Sequence, residues 1–237
     1  MTKLKCCFVS DTHNKHDDID PNSFDNDIDI LIHCGDLTRK GDPEDVESFA
    51  KWYRKIPAKK KFVIAGNHDF CFETTKGLES NREYIINMLQ NKSGAKYLQD
   101  ESAEAFGVKL YGSPWQPEFS SWAFNKPRNG YSLRAKWREI PDDTDILITH
   151  GPPHGILDTT YFTHEFAGCE QLRLRVNVVK PAIHAFGHIH EAYGTFTCEY
   201  TNTHFVNAAA CNLSYKPNNP PKYVELDTET KLAKNLY

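Results

Sequence analysis

Five short apolar runs in this chain stop abruptly at small and polar residues, and that repeated ending constrains the fold more than any other feature. Residues 4–10 deliver Asp11-Thr12-His13, and residues 28–34 end in Gly35-Asp36. Residues 62–65 end in Gly66-Asn67-His68-Asp69, residues 145–149 in His150-Gly151-Pro152-Pro153, and residues 182–186 in Gly187-His188-Ile189-His190. Runs this short, rich in Val, Ile and Phe, read as strands. Between the second and third, residues 43–56 place Val46, Phe49, Ala50, Trp52 and Tyr53 at near-helical spacing, with Asp42 as cap, Pro43 at the first helical position and Pro57 as terminator. A strand-helix-strand unit makes its two strands parallel neighbours with their C-terminal ends on one edge. Asp11, Asp36 and Asn67 are therefore expected to gather there.

The rest of the chain continues the pattern. Helices are expected over residues 81–92, 132–139 and 168–179, strands over 108–111 and 203–208, and a terminal hairpin over 223–226 and 231–236. Residues 113–131 are rich in Pro, Trp, Phe and Gly without a period and read as a long ordered loop, since Trp115, Phe119, Trp122 and Phe124 argue against disorder. No repeat, low-complexity tract or linker divides the 237 residues, which are taken as a single domain, 1–237. A net charge of −4 gives no sign of a nucleic-acid or anionic-membrane surface. The basic cluster over 51–61 reads as the solvated face and exit of a helix. Seven cysteines without a Cys-x-x-Cys, and no apolar run long enough for targeting or spanning, point to a reducing, cytoplasmic setting.

Carboxylate, amide and imidazole groups without a placed thiolate suit divalent manganese, iron or zinc, manganese first. Open α/β sheets put ligands outside strand C-termini. Seven candidates, Asp11, His13, Asp36, Asn67, His150, His188 and His190, exceed what one ion needs. Two ions about 3.5–4 Å apart sharing one carboxylate would use them all. Only Asp11 and Asp36 bring negative charge, so such a site stays positive, attracts phosphate and makes hydroxide available near neutral pH. His33 and His184 lie inside apolar strands and read as core or supporting residues. His16, His154, His164 and His204 read as ordinary surface or loop residues, and Asp69 as a turn-holding one.

Asp11-x-His13, Gly35-Asp36, Gly66-Asn67-His68-Asp69, His150-Gly151 and Gly187-His188-x-His190 resemble, in this order, the motifs of the calcineurin-like metallophosphoesterase superfamily. The resemblance implies a four-layer α/β/β/α sandwich of two mixed β-sheets flanked by helices. It also implies that Asp11, His13 and His190 hold one ion, that Asn67, His150 and His188 hold the other, and that Asp36 bridges them. The nucleophile is then hydroxide between the metals, and His68 steadies the phosphate and protonates the leaving oxygen.

Local context narrows the branch. Arg39 stands where serine/threonine protein phosphatases have an acid that orients the catalytic histidine, which leaves the partner of His68 open. Gly112-Ser113-Pro114-Trp115, Thr149-His150-Gly151-Pro152-Pro153 and residues 184–191 look like the small metallophosphoesterase-domain phosphodiesterases. The expected activity is hydrolysis of a small phosphodiester, a cyclic nucleotide among the candidates, with no nucleic-acid polymer or membrane as partner. The alternatives are a phosphomonoesterase or protein phosphatase, and a non-catalytic scaffold on the same fold. Trp115, Phe119 or Trp122 could stack a nucleobase, although packing of the loop is the commoner use.

Overall fold

The computed structural model describes residues 2–73 and 79–237. In chain order its elements are β1 (Lys3–Val9), β2 (Ile28–His33), α1 (Pro43–Lys55), β3 (Ala58–Val63), α2 (Glu79–Ser93), β4 (Lys96–Tyr97), β5 (Glu101–Ala105) and β6 (Val108–Ser113). Next come β7 (Gln116–Pro117), β8 (Asn125–Lys126), α3 (Tyr131–Arg138), β9 (Ile146–Thr149), α4 (Glu170–Val179) and β10 (Ile183–Phe186). The chain ends with β11 (Gly194–Cys198), β12 (Thr203–Asn207), β13 (Lys222–Asp227) and β14 (Ala233–Asn235).

Two six-stranded mixed sheets form, in the orders β14-β13-β1-β2-β3-β4 and β11-β12-β10-β9-β6-β5. In each, the central strands run parallel and an outer pair turns antiparallel, as β1 with β13 and β5 with β6. Period-2 alternation divides every central strand between two cores. Leu4, Cys6 and Phe8 of β1 meet Ile30, Ile32, Leu110, Ile146, Ile148, Ile183 and Val206 in the layer between the sheets. Cys7, Val9, Leu31 and Val63 face the other way, with Val46, Phe49, Ala50 and Tyr53 of α1. Tyr111, Leu147 and Phe186 likewise join Leu133, Trp137, Leu172 and Val176 of α3 and α4. This is the four-layer α/β/β/α sandwich that the motifs imply.

Several expectations are corrected. The third strand begins at Ala58, because Lys59 and Lys60 are exposed on it, Lys59 pairs with Asp29, and Lys61 Nζ donates to the Tyr53 and Arg54 carbonyls at the end of α1. Strands β4, β5 and β11 were not expected, being short or largely exposed. The loop over 113–131 contains a minimal parallel pair, Gln116 opposite Asn125 and Pro117 opposite Lys126. Asp42 occupies the N-cap of α1 without a capping bond from its side chain. His16 and His204 are buried rather than on the surface: His16 Nε2 is 3.0 Å from Ser48 Oγ, and His204 bonds Thr197 Oγ1 at 2.7 Å and Asn235 Oδ1 at 3.0 Å. No helix of the described residues is long and apolar enough to cross a membrane.

Candidate metal centre

The structure brings all five motif-bearing strand ends together. The backbone sews them to one another: Asp11 N–H donates to Gly35 O, His13 N–H to Asp36 O, Gly187 N–H to His150 O, and Ala210 N–H to Ser10 O. The ligand atoms of Asp11, His13 and His190 lie within 4.8 Å of one another, as do those of Asp36, His150 and His188. Asn67 joins the second group through Oδ1, 2.9 Å from His150 Nε2. Asp36 stands between the groups, its Oδ2 3.6 Å from His13 Nε2 and 3.3 Å from His150 Nε2. His13, Asp36 and His68 form a further such cluster.

Hydrogen bonding fixes which nitrogens face inward. His150 Nδ1–H donates to Cys34 O at 3.0 Å and His190 Nδ1–H to Asn212 O at 3.2 Å, so each neutral ring offers a bare Nε2. Those bare nitrogens point at acceptors: Asn67 Oδ1 and Asp36 for His150, His13 Nε2 at 3.1 Å and Asp11 Oδ1 at 3.3 Å for His190. Lone pairs aimed at lone pairs in a buried site call for cations between them. In the metal-free chain a proton on His150 fills that role, and a bound cation would have to displace it. Burial alone would lower His150, yet the Asp36 and Asp11 carboxylates raise it to about 9; burial also opposes charge on Asp36, yet His150 and His13 hold it well below the usual carboxylate range. His13 and His188 are pushed down by burial, to about 4 and about 3, and stay neutral as ligands must. The residues present fit a pair of divalent ions: Asp11, His13 and His190 for one, Asn67, His150 and His188 for the other, and Asp36 shared.

Asp11 and His13 stand two residues apart, a spacing that puts side chains on one face of an extended strand, but they converge by another route. The strand has ended at Val9, and Asp11, His13, Asp36 and His188 all have left-handed backbone, with φ of 53°, 42°, 55° and 69°. Such conformations cost of order 1–3 kcal/mol each and persist where surroundings over-determine them. Here the surroundings are visible. The His188 N–H donates to both Asp11 oxygens, at 3.1 and 3.0 Å, and the His68 N–H to Asp36 Oδ1 at 2.8 Å. Asp69, expected to hold its turn, does so by accepting from the Leu37, Thr38 and Gly66 amides and from Thr38 Oγ1. A Cβ at Gly66 would overlap Asp36 Oδ1, and one at Gly187 would overlap Asp11 Oδ2, so only glycine fits.

His68 is held by two contacts. Its Nδ1 lies 2.9 Å from the carbonyl oxygen of Arg39, the residue standing where an acid was absent, and its ring stacks on Trp122, with centroids 4.0 Å apart at 27°. A backbone carbonyl leaves no trace in side-chain identity, which is why this partner was not legible; the same is true of Cys34 and Asn212. Tyr215, edge-on to His13 and His190 at 4.9 and 5.5 Å, was also missed, because it lies beyond the last motif. Of the loop aromatics, Trp115 is buried against Phe124 and donates to Asp100, Trp122 covers His68, and Phe119 stays 59% exposed with its ring 6.5 Å from His188. His33 and His184 are buried core residues, bonded to Thr12 and Thr149 respectively.

Fold and side chains together define a phosphoester hydrolase of the metal-dependent kind. The profile of the calcineurin-like phosphoesterase family matches residues 4–192. Metallophosphoesterase domain-containing protein 1 of Homo sapiens is 41% identical over 96% of this chain and 72% of its own length, and a Caenorhabditis elegans protein of the UPF0046 group is 38% identical over 89% and 76%. Among solved structures, the phosphopantetheinyl hydrolase of Mycobacterium tuberculosis superposes with a TM-score of 0.61 at 14% identity, covering 94% of this chain and 96% of that one, a likeness of fold alone. The chain belongs to the calcineurin-like phosphoesterase family.

Proposed function

We propose that the protein hydrolyses a small phosphodiester. Besides a recess of about 370 Å³ at His190, two separate recesses border the candidate ligands, and these two carry the reading. One, about 500 Å³, is lined by His68, Trp122, Tyr215, Asn14, Arg39 and Lys40 among others. The second, about 210 Å³, reaches His188. An acyclic diester has two organic groups to house, whereas a monoester or a cyclic diester has one, so the recesses speak for acyclic diesters and the cyclic ones rest on resemblance alone.

Two divalent ions bound by the seven residues would supply activated hydroxide and neutralise charge on phosphorus. The chain's own groups do the rest. Asp11 and Asp36 remain ionised and are oriented by the His188 and His68 amides, so they cannot swing out of register. With Nδ1 committed to Arg39 O, His68 keeps Nε2 for proton transfer, and in this reading it protonates the departing oxygen. A carbonyl in place of an acid behind this histidine argues against a protein phosphatase. Cyclic nucleotides are the first diesters to test, on the resemblance of residues 112–115, 149–153 and 184–191 to the small metallophosphoesterase-domain phosphodiesterases.

The test is protein stripped of metal and reloaded with Mn²⁺, assayed on bis-p-nitrophenyl phosphate, p-nitrophenyl phosphate and 2′,3′-cyclic nucleotides. Diester hydrolysis that disappears in Asp36→Asn is expected. A preference for the monoester, or activity undiminished in that variant, would overturn the reading.

A further inference from the structure

We propose that the recess beside His188 houses the ester group that stays on phosphorus, and that it selects a neutral, flat, largely apolar group of aryl size. The proposal rests on the phosphodiester reading. During hydrolysis a water oxygen forms the new bond to phosphorus and the bond to the leaving oxygen breaks. One water proton is released, and the leaving oxygen takes one from His68. The other ester bond survives, so its group needs a seat away from His68.

Size, walls and charge point the same way. The cavity holds about 210 Å³, and roughly 150 Å³ suffices for a benzene ring. Pro117, Phe119, Pro152, Ala167 and Ile189 supply apolar walls. Arg128 also lines it, but its guanidinium is spent on the Ala167 and Gly168 carbonyls, both at 2.7 Å, and on Glu170 at 3.1 Å. With Glu118 at the rim, an anionic group meets repulsion and no free cation. The recess at His68 differs in carrying charges of both signs, Arg39 and Lys40 with Asp42 and Asp45.

One buried side chain braces the wall. Asn125 Nδ2 donates to the Phe119 and Ser120 carbonyls at 3.0 Å, which leaves its Oδ1 to accept from Gln116 Nε2 at 3.2 Å. That relay assigns Gln116 Oε1 as an acceptor, and it has no partner among the described residues although Gln116 is 1% exposed. That oxygen is itself closed off from the cavity, so the amide braces the wall and offers a ligand no contact.

The experiment uses p-nitrophenyl diesters that share one leaving group and differ in the retained group: methyl, phenyl or carboxymethyl. Manganese-loaded protein is expected to prefer phenyl at least 10-fold in kcat/KM over the other two. Ala167→Leu, which fills the cavity, and Phe119→Ala, which opens an exposed wall, should each cut the phenyl-to-methyl ratio at least fivefold. In parallel, calorimetry measures the binding of phenylphosphonate and methylphosphonate to the same three proteins. Equal affinities, or a phenyl preference that survives both substitutions, overturn the proposal whether or not any ester turns over. Phenyl-selective binding lost in Ala167→Leu, without hydrolysis of any ester, would instead overturn the phosphodiesterase reading and uphold the cavity's selectivity.

Discussion

His68 shows what single side chains contribute and what they conceal. The sequence places it beside Asn67 in a Gly-Asn-His-Asp turn, which is enough to suggest a proton-transfer role, but its supports are a main-chain oxygen and an aromatic ring 54 positions downstream. If His68 protonates the leaving oxygen, His68→Ala should slow esters of ordinary alcohols by about 10²–10⁴-fold and p-nitrophenyl esters far less, because a good leaving group needs little acid help. Trp122→Ala should show the same leaving-group dependence in weaker form, with Trp122→Phe restoring most of it; kcat across a series of leaving-group pKa values reads both. An equal loss across the series would assign Trp122 to folding alone. That the seven candidate positions would gather was legible because each follows an apolar run. The left-handed backbone at Asp11, His13, Asp36 and His188 was not, since nothing in those residue types announces it.

At the scale of elements, apolar periodicity located the central strands and all four helices, and it failed where a strand's outer face is charged, as with the lysines of β3, or where a strand is short and exposed, as with β5 and β11. It also misjudged His16 and His204, which are buried, but it read His184 rightly as a core residue. His184 sits wholly buried in β10, and burial together with the Arg173 charge lowers it to about 3. Its ordinary value is near 6.5, so above pH 6.5 neither the folded nor the unfolded chain holds its proton. Between pH 6.5 and 3 only the unfolded chain binds one, and stability falls with decreasing pH by about 1.4 kcal/mol per pH unit from this residue. Thr149 Oγ1 donates to Gly151 O and so accepts from His184 Nε2–H. His184→Gln can keep that donor and cannot titrate, so the slope of unfolding free energy between pH 6 and 4, from urea titrations, should flatten by about one proton. An unchanged slope would show that His184 already carries charge when folded.

At the scale of the molecule, two sheets and their helical coats were anticipated through the motifs' resemblance to a family, whereas the seam between the sheets depends on contacts no local pattern encodes. Ile148 lies fully buried in that seam, and Ile148→Ala should cost about 2–5 kcal/mol in denaturant unfolding. Ions that bind only the folded chain raise stability by about 2.7 kcal/mol at 100 times their dissociation constant. Manganese should therefore raise the melting temperature of the wild type and a chelator reverse it, with Asp36→Asn losing most of the shift; no manganese dependence in the wild type would remove the proposed centre.

The candidate ligands are divided between the sheets, Asp11, His13, Asp36 and Asn67 following strands of one and His150, His188 and His190 following strands of the other. A cation held by both acts as a rivet through two plates. Any slip of one plate over the other must then be felt as a change in grip on the ion, so trimming the greasy layer at Ile148 or Leu110 should loosen manganese affinity without altering a single donor atom. Conversely, a loaded chain should resist shear between its halves that an emptied one permits.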